Sequence, residues 1–91
     1  MFMKDNFFKN KKILVTGHTG FKGAWLSYYL YLLGSNVMGI SLKPSTKPSL
    51  FEMLNLKKKI KSNFINILDK DKIEIKIKNF KPDIIFHLAA Q

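Results

Sequence analysis

The chain has no cysteine, no arginine, 3 prolines, and 6 acidic residues against 16 lysines. Without cysteine there are no disulfides, no thiolate nucleophile and no cysteine-ligated zinc, and the cytoplasm is the default compartment. Without arginine, the bidentate fork that nucleic-acid readers use on guanine and phosphate is missing. The net charge of +10 therefore reads as a drift of composition toward Lys, Asn and Ile, with the lysines scattered along the chain. The densest run, "KKKIK" at 57–61, reads as a solvated linker. Weak, salt-sensitive attraction to polyanions is expected, but no specific nucleic-acid partner. Long hydrophobic runs are also missing. "AWLSYYLYLL" is too short to span a bilayer. The start, "MFMKDNFFKNKK", has neither an apolar core nor a small-residue cleavage site. No membrane partner is expected.

What is present is a chain of 91 residues, one domain at most, with 46% hydrophobic residues. Phe7 and Phe8 are an anchor for the basic start. "KKILVT" reads as strand one, apolar enough for a parallel strand buried on both faces. Phe21 to Leu33 reads as a helix with Gly23, Leu26, Leu30 and Leu33 on one face and Trp25, Tyr29 and Leu32 beside it. Gly34 stops it. "NVMGIS" is strand two. Ser49 and Glu52 form a capping box for a short helix, "LFEMLNL". "IKSNFINI" is strand three, and Asp69 caps the next element, at roughly 70 to 80. There "KIEIKIK" alternates like a strand, but Ile73, Ile77 and Phe80 share a helical face and a crossover is needed, so the segment is expected to be helical. "DIIFHL" is strand four. The alternation predicts an α/β fold, a doubly wound Rossmann-type parallel sheet of four strands in the order 3-2-1-4.

The segment "ILVTGHTGFKG" places Gly17, Gly20 and Gly23 between strand one and the first helix. This is the context of a dinucleotide-binding loop. Gly17 allows a tight turn, Gly20 lets a pyrophosphate approach the backbone, and Gly23 lets the helix pack closely. The helix start then faces the anion. A glycine-rich turn without a ligand is the plainer reading, and the strand–loop–helix order argues against it. No Gly-Lys-Ser/Thr follows, which excludes a P-loop. Lys22 either supplies charge to the phosphates or stands exposed at the helix start. His18 is either a ligand contact or simply a turn residue. The usual ribose-binding carboxylate about 20 residues on is missing. Ser41 at the end of strand two can hydrogen-bond a ribose hydroxyl, while Lys43 suits the 2′-phosphate of NADP. The cofactor is NAD, with NADP still open.

The stretches "FF-x-x-KK", "GHTGFKG", "PSTKPSLFE" and "FHLAAQ", in this order, resemble the start of the CDP-glucose 4,6-dehydratases, a branch of the extended short-chain dehydrogenase/reductase family. The resemblance runs over nearly the whole chain. It implies a bound NAD that accepts a hydride from the sugar, loss of water across C5 and C6, and return of the hydride, giving CDP-4-keto-6-deoxyglucose. By position, it implies that Gly17, Gly20 and Gly23 form the pyrophosphate loop, and His18, Thr19, Phe21 and Lys22 between them are candidate cofactor contacts from their place in that loop and helix start. It adds Ser41 and Leu42 after strand two, Asn66 and Ile67 after strand three, and Leu88, Ala89 and Ala90 after strand four. Asn66 stands where relatives usually have an aspartate near the adenine.

No Tyr-x-x-x-Lys pair occurs in the 91 residues, and His87, near a strand end, reads as structural rather than as a base. No catalytic and no metal-binding residue is assigned. The chain is thus expected to be the N-terminal part of a dinucleotide-binding domain, with the rest of that domain and the substrate domain missing. It is expected to be inactive alone and part of a parent that is a homodimer acting on a nucleotide-sugar. The alternatives are another NAD(P)-dependent nucleotide-sugar epimerase or dehydratase, and a non-catalytic nucleotide-binding module.

Overall fold

The structure, a computed structural model, describes residues 7–45 and 47–89. Its strands are β1 (Lys12–Thr16), β2 (Asn36–Ser41), β3 (Lys61–Phe64) and β4 (Ile84–His87). They form one parallel sheet in the order β3-β2-β1-β4, the expected 3-2-1-4 arrangement. The helices are α1 (Phe21–Leu32), α2 (Leu50–Met53), α3 (Leu56–Lys59) and α4 (Lys70–Phe80).

Strand alternation divides the core into two layers. Ile13 and Val15 of β1 point with Val37 toward α1, α2 and α3, where Ala24, Leu30, Phe51, Leu56 and Ile60 complete the layer. Leu14, Met38 and Ile40 point to the other face and meet Phe80 of α4, with Ile73 and Ile77 half-buried beside them. The segment with the strand-like alternation is helical, as the crossover argument requires. Asp69 caps it through its carboxylate, which accepts from Lys72 N–H. β4 is tied to β1 at its start, where Asp83 accepts from Lys12 N–H at 2.8 Å through Oδ2.

Four local expectations are corrected. The buried stripe of α1 is Gly23, Ala24, Ser27 and Leu30, while Leu26 and Leu33 are only half-buried. Small residues hold the centre because the first turn of α1 rests on Gly17. The helix expected as one piece over "LFEMLNL" is two short turns, broken where Asn55 takes a left-handed conformation at φ 55°. The lysine run is no linker. Lys57, Lys58 and Lys59 lie in α3, because Leu56 and Ile60, four residues apart, are both buried beneath it. Lys59 Nζ also donates to Leu54 O at 2.7 Å and sits over the Tyr28 ring. β3 is shorter than read, ending at Phe64, because the chain turns through Asn66 to reach α4.

Candidate functional site

The carboxyl ends of β1, β2 and β4 converge on one cleft. The chain leaves β1 at Gly17, whose φ of +82° favours glycine. A Cβ there would lie 2.9 Å from Ala89 N, so the absent side chain also lets the loop after β4 come close. Gly17 N–H donates to Ile40 O at 2.9 Å, fixing the turn to β2. Gly23 meets the turn from below. A Cβ on it would overlap Gly17 O and Gly17 C, both backbone atoms that no rotamer moves.

Gly20 differs from both. A Cβ there would find only Gly17 O, at 3.5 Å, and otherwise open space. Gly20 is also the N-cap of α1, which has no side-chain cap and no acid in its first turn. The start of the helix is thus uncovered by protein and carries the positive end of the helix dipole. This open cradle, at the head of a cleft of about 510 Å³, fits the pyrophosphate of a dinucleotide.

Around the cleft the structure gathers Gly17, Thr19 and Gly20 after β1, Ser41 and Leu42 at the end of β2, Asn66 and Ile67 after β3, and Leu88 and Ala89 after β4. Lys43 lines it as well, and so do Ser45 and Leu68, which the sequence reading passed over. Thr19 clips the glycine loop to the end of β2. Its Oγ1 donates to Leu42 O at 2.9 Å and lies 2.8 Å from Ser41 Oγ. Asn66 turns its own backbone, with Oδ1 accepting from Leu68 N–H at 2.9 Å.

Four residues of the expected set do not line the cleft with side chains. Phe21 and Lys22 stand exposed at the start of α1, and Gly23 packs beneath. His18 is the fourth, and its side chain is fully buried on the opposite side of the loop. Its Nε2 is 2.7 Å from Ser62 Oγ, its ring is edge-on to Phe51 and stacked on Phe64, and Nδ1 has no hydrogen-bond partner. Burial lowers its pKa from 6.5 to about 4, with the Ile40 backbone opposing the shift. The ring is therefore neutral near pH 7. It fits because Gly39 of β2 has no Cβ, which would overlap His18 Cγ. A lone glycine inside an apolar strand was a readable sign of such an approach. Ala90 lies outside the described residues.

A further hub sits under the β4 loop. Thr16 Oγ1 accepts from Leu88 N–H at 3.0 Å and Ala89 N–H at 3.3 Å, and contacts His87 Nδ1 at 2.7 Å. Nothing in the spacing of the motif pointed to this threonine. Among the described residues no cluster of His, Asp or Glu could hold a metal ion, and no helix is long and apolar enough to cross a membrane.

A parallel 3-2-1-4 sheet with a glycine loop between β1 and an uncapped α1 defines a Rossmann-type dinucleotide-binding fold. Known proteins agree. Residues 13–91 match the sequence profile of the NAD dependent epimerase/dehydratase family, and the chain belongs to that family. It is 48% identical over 86 residues to a CDP-glucose 4,6-dehydratase from Salmonella typhimurium. That match covers 94% of this chain and 24% of the relative, so the chain spans about a quarter of the relative's length. Among solved structures, it is similar to a UDP-glucose 4-epimerase from Thermotoga maritima, determined with UDP-glucose. The TM-score is 0.74 at 31% identity, over 88% of this chain and 24% of that one. It is also similar to an epimerase from Methanothermobacter thermautotrophicus, with a TM-score of 0.72 at 26% identity, over 94% of this chain and 24% of that one.

Proposed function

We propose that this chain is the N-terminal cofactor-binding part of a nucleotide-sugar dehydratase, and that its cleft holds a nicotinamide dinucleotide. The observation that carries the reading is the open cradle at Gly20, facing the uncapped start of α1. Gly17, Thr19, Gly20 and the backbone N–H groups of Phe21, Lys22 and Gly23 receive the pyrophosphate. Ser41 and Leu42 meet the adenosine ribose, and Asn66 and Ile67 flank the adenine. Leu88, Ala89 and, by its position in sequence, Ala90 line the far side, where small side chains leave room. His18 acts from behind, holding the loop against β3 through Ser62.

The substrate we assign to the complete enzyme is CDP-glucose, converted to CDP-4-keto-6-deoxyglucose with loss of water. The 48% identity to the Salmonella dehydratase supports this choice. When bound, the nicotinamide supplies reversible hydride acceptance from the sugar. No Tyr-x-x-x-Lys pair lies within these 91 residues, so this chain's part is to bind and orient, and it does not turn over CDP-glucose alone. The acid and base groups that act on the sugar belong to the rest of the enzyme, a cytoplasmic homodimer. A nucleotide-sugar epimerase is the second reading, favoured by the likeness to the Thermotoga UDP-glucose 4-epimerase.

Titration calorimetry of the chain with NAD tests the first step. Saturable one-to-one binding is expected, and its absence removes the cofactor reading. Incubating the complete enzyme with CDP-glucose and with UDP-glucose separates the two activities. A dehydrated product from CDP-glucose is expected, and epimerised UDP-sugar alone would select the second reading.

A further inference from the structure

Two hydroxyls at the lip of the cleft have a fixed order of protons. A hydroxyl carries one proton and two lone pairs, and a carbonyl oxygen only accepts. At 2.9 Å from Leu42 O, Thr19 Oγ1 must donate its single proton there. The 2.8 Å contact between Thr19 Oγ1 and Ser41 Oγ then takes its proton from Ser41. Ser41, which lines the cleft, is left with lone pairs alone to offer a ligand.

We propose that Thr19, by accepting the Ser41 proton, makes Ser41 an acceptor-only group and thereby sets the preference of the site for NAD over NADP. This rests on the reading of the cleft as a nicotinamide dinucleotide site. In such folds the end of the second strand meets the 2′ position of the adenosine ribose, commonly with a carboxylate that accepts from the 2′-hydroxyl. Ser41 with its proton committed does the same work without the charge. A 2′-phosphate brings only acceptors to the same place. Satisfying it from Ser41 requires both protons to rotate, so that Thr19 donates to Ser41 and Leu42 O loses its donor.

Lys43 pulls the other way, since it lines the same cleft and an ammonium attracts phosphate. Its side chain is exposed, where water and salt screen it. The oriented hydroxyl pair therefore sets the direction of the preference, and Lys43 reduces its size.

The test is calorimetric titration of the chain with NAD and with NADP, for the wild type, Thr19→Val, Thr19→Ser and Ser41→Ala. The wild type is expected to bind NAD about tenfold more tightly than NADP, the effect of one well-placed hydrogen bond. Thr19→Val keeps the shape and releases the Ser41 proton, so the ratio should collapse to about unity, partly through a gain for NADP. Thr19→Ser should keep the wild-type ratio. Ser41→Ala removes the acceptor and should weaken NAD while leaving NADP nearly unchanged, which keeps the proposal testable if the valine variant fails to fold. A wild type without preference for NAD, a ratio that Thr19→Val does not move, or a ratio that Ser41→Ala does not move overturns the proposal while the cofactor reading stands. A wild type that binds neither dinucleotide overturns both.

Discussion

Thr16 and His87 are register partners on neighbouring strands, and Thr16 Oγ1 lies 2.7 Å from His87 Nδ1. Both lone pairs of the threonine oxygen are taken by Leu88 N–H and Ala89 N–H. Its proton must therefore point at His87, which fixes the imidazole as the tautomer protonated at Nε2. One side chain orients a histidine and closes the turn that lines the cleft.

Replacing Thr16 by Val keeps the shape and removes all three contacts. Ala89 N–H loses its acceptor, while Leu88 N–H keeps Thr16 O at 3.1 Å. A loss of roughly 1–3 kcal/mol in urea unfolding is expected, with Thr16→Ser restoring most of it. Nitrogen NMR of the His87 ring should show the Nε2-protonated form in the wild type and a mixture in Thr16→Val. An unchanged ring signal would show that the threonine does not set the tautomer.

Gly20 and Gly23 separate binding from folding. A Cβ on Gly23 collides with fixed backbone, whereas one on Gly20 does not. Gly23→Ala should cost about 3 kcal/mol or more, because the loop or α1 must move. Gly20→Ala should cost no more than about 1 kcal/mol, the difference between these residues at an N-cap. The same Gly20→Ala change should weaken NAD binding at least about tenfold, since the methyl enters the cradle. Thermal melts and NAD titration of the two variants decide the matter. Equal NAD affinity in Gly20→Ala and the wild type would place the phosphates elsewhere.

His18 makes the stability depend on pH in a definite window. Unfolded, the imidazole takes up its proton near pH 6.5; folded, it resists until about pH 4. Between these values the unfolded state binds more protons, so stability falls as pH falls through the window and is flat, as far as this group is concerned, above it. The contribution amounts to about 3 kcal/mol across the window. Unfolding free energies between pH 4 and 7 should fall more steeply for the wild type than for His18→Gln. Parallel slopes would mean that the ring is protonated in the fold at no cost.

Much of the framework was legible because it rests on local patterns. The glycine spacing between an apolar strand and a helix, the Ser49 and Asp69 caps, and the shared face of Ile73, Ile77 and Phe80 each report on neighbours close in sequence. Strand order followed from the alternation and the usual crossovers. What stayed hidden depends on partners far apart in the chain. Ser62 is 44 residues from the histidine that it meets, and His87 is 71 from Thr16. The direction of the His18 side chain could not be read from its place between Gly17 and Thr19, since a turn can present a side chain to either side. The inner stripe of α1 was misread for a related reason. Periodicity finds the large apolar residues, but close packing on Gly17 buries the small ones.

Gly39 and His18 form the last testable pair. The glycine inside the strand signals a close approach, but local pattern does not say that the histidine inside the turn is what approaches. Together they fit, because the ring occupies the space that a Cβ on Gly39 would need. Phe51, Phe64 and Ser62 surround the ring, so it has little freedom to yield. Gly39→Ala alone should cost about 1–3 kcal/mol through overpacking. In a His18→Ala background the space is open, and the same methyl should be nearly neutral or fill part of the cavity. The double-mutant cycle should therefore show a coupling of about 1–3 kcal/mol, measured by urea unfolding. Additive effects would mean that the strand, not the ring, absorbs the added methyl.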